Sequence, residues 1–116
     1  MINLSLLLIG TILFLLSHIL IFYQINGQFI WEIFQKNIIL VSVAGIGISY
    51  ILIQATKFTV EGFNGLLWPT RFLAFGIGML VYALLVNYHF SEAITPKVGV
   101  SLLLSLILIA VQVLWR

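Results

Sequence analysis

The chain has 116 residues, 63% of them hydrophobic and 7% charged, with five Lys or Arg against three Asp or Glu and a net charge of +2. Ordinary soluble domains hold about 45–50% apolar and about 25% charged residues, so this composition excludes a water-soluble monomer and points to lipid as the solvent. The basic residues stand singly, which argues against nucleic acid as a partner, and the lack of cysteine removes disulfides, thiolate metal sites and cysteine nucleophiles.

A helix rises 1.5 Å per residue and the hydrocarbon core is roughly 30 Å thick, so about 20 residues make a crossing. Four apolar stretches between Ile2 and Trp115 meet that length, and what remains is too short for a soluble domain. The expected fold class is all-α: one domain, 1–116, of four transmembrane helices in a bundle, with spans near 2–23, 37–56, 68–89 and 96–115.

Helix 1 is expected from about Ile2 to Tyr23. No basic residue precedes its apolar run and no small-residue cleavage site follows, so it reads as a retained helix rather than a signal peptide. Asn26-Gly27 is a turn signal. Phe29 to Lys36 holds two charges among aromatics, is too polar to cross, and suits the membrane interface, where Trp is enriched.

Helix 2, about Asn37 to Thr56, carries Gly45 and Gly47 at its middle. Glycines there permit close helix approach, because lipid supplies no hydrophobic drive for helix association. Lys57 is expected to close this helix, leaving Phe58 to Leu67 as the longest loop. Helix 3 starts near Trp68-Pro69, since proline suits a first helical turn. Its Gly76-Ile77-Gly78 echoes Gly45-Ile46-Gly47, with Tyr50 five residues after Gly45 and Tyr82 six after Gly76. Helix 4 has the clearest start: Thr95 is a good N-cap and Pro96 fits the first position.

Four spans put Lys57, Arg71 and Arg116 on the side of both termini and Lys36 and Lys97 on the other. Lys/Arg bias sets orientation, and three against two is close to none. A short chain with few charges shows this, and so does a chain that inserts both ways round as an antiparallel dimer. The expected setting is a multi-pass protein of a bacterial-type inner membrane with both termini in the cytoplasm.

Ionisable groups inside a span default to functional hypotheses. His18, beside Ser17 in helix 1, is the clear case: as a neutral imidazole it can hold helices together, or it can move a proton or touch a ligand. His89 sits at the end of helix 3. A His18–His89 metal site lacks a third ligand at helical spacing, so no metal and no cofactor is expected. Glu32, Glu61 and Glu92 fall at span ends. Arg71 either snorkels to the headgroups or turns inward toward an anionic group. No Ser-His-Asp set, phosphate loop, HExxH or paired carboxylates occurs, so an enzyme is not expected.

The stretch from Phe90 to Leu102 resembles a turn of the drug/metabolite transporter superfamily, of the form F-x-E-x-(I/L)-T-x3-G-x2-L, which Glu92, Thr95, Gly99 and Leu102 match. Size and four-span layout resemble the small multidrug resistance proteins. The resemblance implies a transporter that exports or exchanges a small metabolite or cation as a homodimer. His18, Tyr50 and Tyr82 are the candidate substrate-binding residues, and Gly45, Gly47, Gly76, Gly78, Glu92, Thr95 and Gly99 are candidates for packing and turn formation. One departure matters: those proteins carry a glutamate in helix 1 that exchanges proton for cation, and helix 1 here has no acidic residue. The alternative is an accessory subunit that packs its glycine faces against a larger membrane complex.

Overall fold

The computed structural model describes residues 2–92 and 94–115. Asn3 opens the first helix: its side chain accepts the Leu6 N–H at 3.3 Å, satisfying one of the donors that a helix start leaves free. α1 runs Leu4–Asn26. A single 3-10 turn, Gly27–Phe29, ends it. Here the chain passes close under an aromatic ring, since a Cβ on Gly27 would lie 2.5 Å from the Phe34 ring and force it to shift. The short α2, Glu32–Lys36, is tied by an exposed Lys36–Glu32 ion pair at 3.0 Å.

α3, Ile38–Val43, and α4, Gly45–Gly62, continue each other across Ala44, which keeps right-handed helical angles. Together they make one apolar stretch of 25 residues. The helix does not stop at Lys57. Thr56 and Thr59 each donate to a carbonyl one turn back, Leu52 and Ala55, both at 2.8 Å. Their hydroxyls are absorbed by the helix rather than diverted into a competing turn. It ends only where Asn64 (φ 58) and Gly65 (φ 85) take left-handed angles, so the connection shrinks to 63–66. The longer connection is the one between α1 and α3.

α5 runs Leu67–Phe90, with Pro69 in its first turn, where no N–H is needed, and ends at Ser91 in the left-handed region. α6 runs Pro96–Leu114, and Thr95 accepts the Val98 N–H at 3.3 Å, as its sequence position requires. Four stretches are thus long and apolar enough to cross a membrane: Leu4–Phe29, Ile38–Gly62, Leu67–Phe90 and Pro96–Leu114.

Small residues decide how closely these helices meet. Gly10 of α1 lies on Thr59 and Ala55 of α4, and Gly62 lies on Leu7. The start of the chain is pinned to the end of α4 by Asn3 N–H donating to the Gly62 carbonyl at 2.9 Å. Gly78 of α5 faces His18 of α1, and Gly76 faces Ile109 and the Ser105 carbonyl of α6. The spatial order is therefore α4, α1, α5, α6, with α1 packed on both α4 and α5 and α6 on the edge against α5. The arrangement is an open slab, 48 × 36 × 18 Å.

Its core joins Leu7 and Phe14 of α1, Ala55 and Phe63 near α4, and Leu73, Ala74, Ile77 and Val81 of α5. Ser17 and Thr59 are fully buried, and each donates its hydroxyl to its own helix, which removes the penalty of enclosing it. The outer faces are largely apolar, with Ile39, Ile46 and Leu114 among many exposed aliphatic side chains.

Candidate functional site

His18 is placed where α1, α4 and α5 come together. Its Nδ1 lies 2.7 Å from the Phe14 carbonyl oxygen. A carbonyl only accepts, so in this contact Nδ1 is the donor. The ring edge rests on Gly78, where a Cβ would come within 2.7 Å of Cδ2 and 2.8 Å of Nε2. Gly78 is what lets the imidazole occupy the α1–α5 seam.

On one side of His18 a groove of about 500 Å³ opens. Phe14, His18 and Ile21 of α1 form its floor, Leu52 and Thr56 one wall on α4, and Leu67, Thr70, Arg71 and Ala74 the other wall on α5. Both threonine hydroxyls donate to their own helices, Thr56 to Leu52 at 2.8 Å and Thr70 to Leu66 at 3.4 Å. They offer the groove acceptor oxygens rather than free donors. On the other side His18, Gly78 and Tyr82 line a smaller cavity of about 140 Å³. His18 and Ile21 line both.

Of the three expected binding residues the structure brings together His18 and Tyr82. Tyr82 is half exposed and meets the Phe22 ring edge-on at 5.5 Å. Tyr50 is 65% exposed and lines neither cavity. Gly45 packs on the Gln24 side chain, Gly76 and Gly78 lie at the seams described, and Gly47 and Gly99 have no atom within 4 Å of where a Cβ would stand. Thr95 caps α6, while Glu92 is exposed and lines, with Tyr82, Lys97 and Ser101, a groove of about 270 Å³ between α5 and α6.

The two histidines are apart. Gly78, against His18, precedes His89 by eleven residues on one helix, which is about 16 Å along its axis. His89 instead takes part in an aromatic cluster: its Nε2 is 2.7 Å from the Tyr23 hydroxyl, and the rings of Phe22, Trp31 and Tyr88 surround it at 6.2, 6.4 and 4.9 Å. This clamp joins the end of α1, the linker before α2 and the end of α5.

Sequence reasoning missed Gly10, Gly62 and Thr59 as close-packing residues and Thr56 and Thr70 as groove walls. The small residues Ala55 and Thr59, one turn apart, were the available signal for the α1–α4 seam. The Tyr23–His89 pair had no signal, because 66 residues separate its members. Compared with protein-family models, curated proteins and solved structures, the chain matches none, and the resemblance to the drug/metabolite transporters gains no support from them.

Proposed function

We propose that the four long helices cross a bilayer and that the chain is a carrier of a small molecule, working as a homodimer with the His18 groove as its substrate site. The observation that carries this reading is His18 itself: an ionisable side chain at a three-helix junction, with open space on both sides. Such groups inside spans mark solute or proton paths far more often than chance placement would give. The groove's volume falls in the range of small-molecule sites, roughly 300–1,000 Å³. The open slab supports the homodimer, because one layer of helices leaves the groove unwalled on its outer side and a second copy would close it.

Reconstitution tests it. Liposomes holding the purified protein are expected to show solute flux that His18→Ala abolishes, and the protein in detergent is expected to run as a dimer. The second reading, an accessory subunit, is favoured by Gly47 and Gly99, whose open faces suit helices of another protein. Co-purification with other subunits in fixed ratio, together with no flux, would establish it instead.

A further inference from the structure

We infer that the three-helix groove takes an amphipathic anion, a carboxylate or phosphate group carried on an apolar body. The inference rests on the groove being the substrate site proposed above, and it reverses the charge expected from a likeness to cation exporters.

Arg71 is the one charged side chain on the groove wall, and no acidic residue lines the groove. Among the described residues the ion pair within 4 Å is Lys36–Glu32, at the far end of α1, so the Arg71 guanidinium is not neutralised within the slab. A planar guanidinium is the side chain best shaped for two-point binding of a carboxylate or phosphate. Thr56 and Thr70 spend their hydrogens on Leu52 and Leu66, so their hydroxyls offer an anion no donor and Arg71 is the group left to hold it. A cation would meet Arg71 with no carboxylate to offset it.

Behind Arg71 the surface is apolar. From Arg71 to Gly78, the level of His18, is seven residues, about 10 Å along α5. Phe14, Leu52 and Ala74 line that length, ready for a hydrocarbon body whose head sits at Arg71. The groove between α5 and α6 differs, because Glu92 and Lys97 give it both signs of charge and no selection by sign.

The full-length protein in phosphatidylcholine nanodiscs is titrated with decanoate, decyl phosphate and decyltrimethylammonium while its thermal unfolding is followed. A ligand of the native state raises Tm in proportion to its occupancy. The two anions are expected to raise Tm by several degrees and the cation to leave it unchanged. Arg71→Gln is expected to weaken the anions at least tenfold, with Arg71→Lys recovering part. In a second arm phosphatidylglycerol is added to the discs. A shift there that decyl phosphate competes away assigns the anion to a lipid headgroup, and no shift assigns it to a free amphiphile; both keep the site.

Should Arg71→Gln fail to fold, the wild type decides by protection: decanoate, and not decyltrimethylammonium, is expected to slow phenylglyoxal modification of Arg71. An equal response to the cation, an anion shift untouched in a folded Arg71→Gln, or no protection overturns the inference. The carrier reading fails separately: anion binding without flux of any solute removes the carrier and leaves the site, whereas flux of a cation with no anion binding does the reverse.

Discussion

Thr59 of α4 presses its methyl group and backbone onto Gly10 of α1, closely enough that no side chain fits between them. A Cβ on Gly10 would stand 3.0 Å from the Thr59 nitrogen and 3.1 Å from the Ala55 oxygen, besides its collision with Thr59 Cγ2. Two of these neighbours are backbone and cannot rotate aside. This contact sets the spacing of α1 and α4.

Gly10→Ala is therefore expected to destabilise the protein by about 1–3 kcal/mol, the range for overpacking a close-fitted core. Gly47→Ala has the opposite sign within one chain: nothing lies near its would-be Cβ, and leaving a glycine out of a helix interior gains about 0.5–1 kcal/mol. Unfolding titrations in sodium dodecyl sulfate compare the two. A loss at Gly47 as large as that at Gly10 would place the Gly47 face in an interface between chains.

Gly78 and His18 are expected to behave as a pair. Gly78→Ala pushes on the imidazole edge, which is the end of a side chain and can turn, so the loss is expected to be smaller than at Gly10. The displaced ring no longer lies in the seam, and on the proposed carrier reading flux in liposomes is expected to fall while the fold persists. His18→Ala in the same chain removes the clash, so the double variant should lose less stability than the sum of the single changes gives. Additive losses would show that the two residues do not touch.

The Tyr23 hydroxyl and His89 Nε2 lie 2.7 Å apart, a hydrogen bond between residues 66 positions apart in the chain. Tyr23→Phe is expected to destabilise by about 0.5–1.5 kcal/mol, as for removal of a typical hydrogen bond. In a double-mutant cycle with His89→Ala the coupling is expected at about 1 kcal/mol. A coupling near zero would mean that the aromatic contacts of Phe22, Trp31 and Tyr88 hold this end without the hydrogen bond.

Thr95→Ala removes the acceptor for the Val98 N–H, and Thr95→Ser or Thr95→Asp restores one. The loss is expected at about 1 kcal/mol. Because α6 packs chiefly on α5, the effect should be local, read as faster hydrogen exchange over the first turn of α6 with the α1–α4 seam unchanged. Slow exchange in the alanine variant would show that something other than the cap holds this end.

The helices themselves were legible in the chain because their causes are local. Thr95-Pro96 states its cap and first position outright, and Asn3 and the 64–65 turn act through neighbours in sequence. The end of helix 2 was misread for a local reason too: Lys57 looks like a stop, yet an exposed lysine continues a helix readily, and the threonines around it had already bonded to the backbone. The site was legible only in part. His18 stood out as an ionisable group among aliphatic ones, whereas Tyr50 and Tyr82 look alike in sequence and differ only in which way their helices face.

The sequence by itself determined that there are four long apolar helices and roughly where each begins, because capping, glycine turns and apolar run length act over a few residues. The tertiary structure decided their order in space, which glycines meet another helix, and that Arg71, Thr56, Thr70 and His18 share one groove. With apolar side chains on every face of every helix, periodicity cannot say which face turns inward. That choice falls to the few places, Gly10 on Thr59, His18 on Gly78 and Gly76 on Ile109, where the backbones come close enough to fit.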